Sequence, residues 1–299
     1  MKFAITMCVP SYSRQFANWG DVYFAESMQA ELLKMGHDCQ IYGMDTWNQV
    51  AANDIHIHLR GLHKYPYPKV KNAHAWIINH PELIDCDSLK DYRLCFCASK
   101  PFTEILNQNG IDTIYLPQAG DSTHFYPIQG IKKEFDVLFV GNNHQAQNKR
   151  GRKLVEYLLT MKGDINYKIV GAAWKGLVPD KHILSEFVEW KDLNRLYQLA
   201  KIVLNDHQDT MRDYSFINNR TFDLAMAQQF QICDEIPELE ELGIVTCRSA
   251  VDLQEKISLY LLQDDLISRN NKIVSTLCKE FSFAERMKHI VRLVKEKNG

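Results

Sequence analysis

KIVLNDHQDTMRDYSFINNRTFDLAMAQQFQICDE, residues Lys201 to Glu235, reads as a buried strand, a polar loop, a helix beginning at Asn219, and a second buried strand. The two apolar runs carry no outward-facing polar alternation, as expected of strands covered on both faces. A helix between two such strands makes a crossover unit of a parallel sheet. The same alternation extends back through FDVLFVG (135–141), a helix from about Arg150 to Met161, YKIVG (167–171) and the helix of LNRLYQLA (193–200). It extends forward through helices at Leu253–Gln263 and Phe283–Lys297.

An earlier, separate run of the pattern occupies the amino-terminal half. KFAITMCV is its first strand, and a helix from Asp21 to Met35 follows, stopped by Gly36. The strands HDCQIYG, NDIHIHLRG, HAWIINHPE, YRLCFCAS and DTIYLPQA come next, with a short helix from Pro101 to Gly110. The polar stretch IQGIKKE (128–134) between the runs is the expected linker. The chain therefore reads as two Rossmann-like α/β domains, 1–128 and 129–280, with a helix at 281–299 free to pack back on the first. Two such sheets facing one another would form an interdomain cleft at the carboxyl ends of their strands, where ligands bind.

A length of 299 residues accommodates two domains, and 45% hydrophobic with 24% charged residues is a globular balance. The formal charge of −2 leaves no basic stripe, which disfavours a nucleic-acid partner. No stretch reaches the roughly 20 apolar residues of a membrane span, although peripheral membrane contact stays open. The eight cysteines show no C-x-x-C pair or zinc spacing, so they read as reduced core residues of a cytoplasmic protein.

Two segments carry phosphate-binding chemistry. In FDVLFVGNNHQAQNKRGRKLVEYL a strand ends at Gly141 and Asn142, and Lys149, Arg150 and Arg152 lie where a helix starts. Free helix amides beside cations attract phosphate, although a solvated basic turn has the same composition. In the segment quoted first, Ser215, Asn218 and Asn219 lead into a helix whose first turn holds Arg220, Thr221 and Asp223. Asp223 is suited either to ribose hydroxyls or to helix capping. On the amino-terminal half, Gly20 and Asp21 start a helix, and His80 ends the fourth strand; Asp21 and His80 are the catalytic candidates, each with a structural alternative. His56 and His58 lie on one strand face without a carboxylate or cysteine partner at ligand spacing, so no metal site is expected there.

From about residue 95 onward the chain resembles the CgeB-like (spore maturation protein) glycosyltransferases, relatives of the retaining family 4 transferases. The resemblance is carried by Leu204-Asn205, Asn218, Arg220-Thr221-Phe222-Asp223, Asp234, Pro237 and Leu239, and by Phe139–Gly141 with Arg150. Ile169–Gly171 followed by Trp174, and Leu116, Pro117, Asp121, Phe125 and Pro127, complete it. It implies GT-B architecture and sugar transfer from a nucleotide diphosphate sugar to an unidentified glycan, lipid-linked or protein acceptor, such as in cell-surface polysaccharide synthesis. It further implies that Arg150 and Arg220 pair with the diphosphate in place of a metal ion, that Asn218, Asn219 and Thr221 add polar contacts, that Asp223 holds ribose, and that Trp174 lies at the base pocket. The family carries Glu at Asp223 and glycines near Gln228-Gln229-Phe230. These departures motivate a rival reading as a degenerate nucleotide- or partner-binding module; a nucleotide-sugar epimerase is the other.

Overall fold

The computed structural model describes residues 1–11, 19–66, 72–143 and 152–298. Contacts divide it into unit 1, comprising Met1–Ala119, Asp213–Asn218 and Phe281–Gly299, and unit 2, comprising Gly120–Arg212 and Asn219–Glu280.

Unit 1 holds six parallel strands: β1 (Lys2–Thr6), β2 (Asp38–Tyr42), β3 (Ile55–Arg60), β4 (Ala73–Ile77), β5 (Leu94–Cys97) and β6 (Thr113–Tyr115), ordered β2-β1-β3-β4-β5-β6. Every residue of β3, β4 and β5 is buried, which is why these strands read as unbroken apolar runs. Helix α1 (Gly20–Lys34) buries Val22, Phe24, Met28 and Leu32 and is ended by Gly36, whose φ of 76° favours glycine. Helix α2 (Lys100–Gln108) starts where Ser99 Oγ accepts the Phe102 amide at 3.0 Å.

The carboxyl-terminal helix α10 (Phe283–Asn298) belongs to unit 1. Its stripe Phe283, Met287, Ile290, Val291 and Val294 joins the core of β1, β3 and α1, with Phe283 edge-on to Phe24 at 4.8 Å. Ile290 is fully buried. Ile290→Ala is expected to destabilise unit 1 by about 2–5 kcal/mol, read as a lower urea midpoint at unchanged slope.

Unit 2 contains β7 (Phe135–Val140), α3 (Lys153–Leu159), β8 (Tyr167–Val170), β9 (Ile183–Ser185), α4 (Trp190–Gln198), β10 (Ala200–Asn205), α5 (Asp209–Asp213), α6 (Asn219–Met226) and β11 (Gln231–Asp234). It continues with α7 (Pro237–Glu241), β12 (Val245–Cys247), α8 (Ala250–Leu262) and α9 (Asp264–Leu277). Its sheet is also parallel, ordered β12-β11-β10-β7-β8-β9. In both sheets the winding reverses, between β1 and β3 in unit 1 and between β7 and β10 in unit 2. Loops leaving adjacent strands at such a reversal diverge and leave a crevice at the carboxyl ends.

The division falls after Ala119, upstream of the expected 128/129 boundary. Leu116 and Ala119 pack in the unit 1 core, whereas Phe125 packs with Leu138 and Tyr197 in unit 2. A Cβ at Gly120 would meet the Phe222 carbonyl carbon and oxygen at 2.6 Å, so the chain passes directly against α6 there. The expected linker is instead fastened to unit 2. Gln198 accepts the Ile128 amide at 2.7 Å, and Lys133 donates to the Gln198 carbonyl at 3.0 Å and to Gln229 at 3.1 Å.

Candidate functional site

The loops that leave β7 and β8 of unit 2 are held close by backbone. A Cβ on Gly171 would meet the Gly141 carbonyl oxygen at 2.1 Å, and its φ of 144° is one that side chains rarely adopt. Asn142 Oδ1 accepts the Ala172 amide at 2.8 Å, and Trp174 donates its indole N–H to the Gly141 carbonyl at 2.8 Å. Against this platform lies Arg152, the residue before α3. It donates to the Asn142 carbonyl at 3.0 Å and to Asp206 Oδ1 at 3.1 Å.

Charged side chains gather where β10 and β11 end. Burial pushes the Asp206 pKa up, opposed by Arg152, and burial pushes the Arg152 pKa down, opposed by Asp206. His207 faces Asp234, its Nδ1 at 2.6 Å from Oδ1 and its amide donating to Oδ2 at 3.1 Å; Arg212 adds a 3.2 Å bond to Oδ2. Burial alone would raise Asp234, but His207 and Arg212 outweigh it and its pKa is lowered. Arg220, second residue of α6, hydrogen-bonds the buried Tyr197 hydroxyl, and its charge acts on Arg152, Asp206 and Asp223. Two arginines thus converge on the strand reversal, beside the first amides of α6. Guanidinium groups beside free helix amides are the chemistry that suits a small polyanion.

Unit 1 has its own polar cluster at the carboxyl end of β4. His80 takes left-handed backbone angles, φ 53° and ψ 53°, and its Nδ1 lies 2.8 Å from Glu82 Oε1. Burial pushes the Asp21 carboxyl pKa up, opposed by the charge of His80.

Comparison with known proteins now has geometry to meet. Residues 147–292 match the glycosyl transferase-like family model, and no curated protein matches the sequence. Sucrose-phosphate synthase of Thermosynechococcus elongatus superposes with a TM-score of 0.68 at 8% identity, over 99% of both chains. Anabaena HepE, solved in complex with UDP and glucose, gives 0.68 at 9% identity over 99% of this chain and 100% of its own. Phage T4 β-glucosyltransferase, solved with UDP-glucose, gives 0.62 at 13% identity over 98% of this chain and 99% of its own. The fold is GT-B.

Within the GT-B fold the sequence expectations fall out unevenly. Arg150 lies outside the described residues, as does Lys149; Arg152 is the described one of the three cations named in that segment. Asn219 and Arg220 begin α6 as expected, while Ser215 and Asn218 belong by contact to unit 1. Thr221 is fully buried and its hydroxyl accepts from Asn205 at 2.9 Å, because the third residue of α6 faces the sheet. Asp223 is also buried: it accepts the Asp121 amide at 3.0 Å and Asn219 Nδ2 at 3.2 Å, anchoring the 120–124 segment to α6. Trp174 is a core residue edge-on to Phe139 at 5.8 Å, so it offers no open stacking face. A Cβ at Gly20 would meet nothing within 4 Å among the described residues.

Other groups escaped the sequence reading. Asp206, His207, Arg212 and Tyr197 in unit 2 acquire roles only through neighbours distant in sequence. The one available signal was position, since Asp206 and His207 directly follow a buried strand. Among the described residues no group of three or more His, Cys, Asp or Glu could hold a metal ion, and no helix is long and apolar enough to cross a membrane.

Proposed function

We propose that this protein transfers a sugar from a nucleotide diphosphate sugar to an acceptor hydroxyl. The observation that carries the reading is the convergence of Arg152 and Arg220 on the unit 2 strand reversal, beside the amides of α6. The GT-B fold supports it, as do the family match over 147–292 and neighbours solved with UDP. The arginines bind the diphosphate and stabilise the charge it gains as the glycosidic C–O bond breaks. The acceptor oxygen bonds to the anomeric carbon, and its proton passes to His80 Nε2 in unit 1, with Asp21 nearby. In this reading fixed cations do the electrostatic work, and the reaction proceeds without a divalent metal.

Kinship with the CgeB-like transferases, retention of anomeric configuration by attack of the acceptor on the face that the diphosphate leaves, and a cytoplasmic, glycan-building role belong to the same proposal. A thermal-shift series with the diphosphates of uridine, guanosine, thymidine and cytidine tests the donor side. At least one is expected to raise Tm, by the same amount in EDTA as with added Mn²⁺, since a ligand that binds only the folded state stabilises it. If none of the four raises Tm in either condition, the proposal fails.

A further inference from the structure

We infer that Glu82 is a positioning residue for His80, a role that rests on the transferase reading above. Three observations carry it. His80 is a non-glycine residue in the left-handed region, a conformation that persists only where its surroundings hold it. The holding contacts are present. Pro81–Leu83 form a 3-10 turn, the Leu83 amide donates to the His80 carbonyl at 3.0 Å, and buried Arg60 clamps the turn with Nη2 on the Leu83 carbonyl at 2.8 Å and Nη1 on the Gly61 carbonyl at 2.6 Å.

The third observation is the direction of the imidazole. Its Nδ1 is 2.8 Å from Glu82 Oε1, the His80 side chain is 9% exposed, and that of Glu82 is 35% exposed. A carboxylate only accepts, so Nδ1 carries the proton of the neutral ring and Nε2 keeps the lone pair. Glu82 thereby fixes the tautomer a proton acceptor needs. It stabilises the imidazolium formed when Nε2 takes the acceptor hydroxyl proton, and releases nothing itself. His80 would touch the reacting hydroxyl; Glu82 acts only through His80.

The test uses the full-length chain with Glu82→Gln, Glu82→Ala, His80→Ala and the double variant His80→Ala/Glu82→Gln. Glu82→Gln is expected to keep UDP affinity and acceptor KM within about twofold. It should lower kcat on the order of 10-fold to 100-fold, part of the 10²–10⁴ that a positioned base supplies. In the His80→Ala background the same change should add nothing further, and the ¹⁵N spectrum of Glu82→Ala should lose the Nδ1-protonated His80 signature. Unchanged kcat in Glu82→Gln, an equal loss in both backgrounds, or an unaltered His80 tautomer would each overturn the inference. If the wild type neither binds UDP nor transfers, the transferase reading falls separately, and the ¹⁵N tautomer still decides whether Glu82 orients His80.

Discussion

Replacing Arg220 with alanine is expected to remove the stabilisation of the protein by a nucleoside diphosphate and to lower transfer on the order of 10²–10³-fold, the loss typical of a single charge-stabilising donor. Arg220 is held by the Tyr197 hydroxyl at the start of α6, and no carboxylate makes a salt bridge to it among the described residues. Arg152 differs, since Asp206 already compensates it. Of the two arginines, Arg220 is the one without a carboxylate in salt-bridge contact among the described residues, and in the proposed reading it meets the diphosphate directly. The loss should appear both as a higher donor KM, because the bound diphosphate loses its partner, and as a lower kcat, because leaving-group charge is greatest in the transition state. Arg220→Lys keeps the charge without the planar fork, so partial recovery is expected. Isothermal titration with UDP and initial rates on the three proteins measure this. Full-strength binding by Arg220→Ala would remove the proposed diphosphate site.

The second large effect is acid lability of unit 1. His56, His58 and His74 are fully buried on β3 and β4. Thr6 Oγ1 lies 2.8 Å from both His56 Nε2 and His58 Nδ1, and His58 Nε2 is 3.2 Å from the His63 carbonyl. Both ring nitrogens of His74 lack a hydrogen-bond partner among the described residues. Burial holds the His58 pKa down to about 3 and that of His74 down to about 4, and pushes His56 well below its usual range; Arg60 and Arg93 add to the effect at His58 and His74.

The sign follows from proton counts. Above pH 6.5 neither folded nor unfolded histidines are charged, and the full stability is present. As pH falls below 6.5 the unfolded chain binds protons that the folded chain refuses, so stability is lost until the folded pKa values are reached. Each histidine costs about 1.4 kcal/mol per pH unit in that window. At pH 5 His58 and His74 together cost about 4 kcal/mol and His56 adds to the loss, a large share of the whole stability of a typical domain. Tm should therefore fall steeply between pH 6.5 and 4.5. His74→Leu, which removes no hydrogen bond found among the described residues, should flatten that slope by about one third. A Tm that stays level from pH 7 to pH 5 would show that these rings are hydrated.

The sequence by itself determined the α/β class, the two parallel sheets and the helix opening at Asn219. Those features are written in local pattern: strands covered on both faces become unbroken apolar runs such as those of β3, β4 and β10, and Gly36 and Gly110 mark helix ends through the backbone angles they permit. The short elements β9, β12 and α7 left no such mark, because three to five residues give no period to read. Only the tertiary structure decided which polar groups remain for ligand. Asp223 is four residues beyond Asn219 and turns inward to the Asp121 amide, Thr221 turns to Asn205, and Trp174 packs on Phe139. Pairs such as Arg152 with Asp206 and His207 with Asp234 join residues far apart in the chain, and their electrostatics depend on burial at the ends of strands. A sequence names the groups; which of them is neutralised, capped or left free is a property of packing.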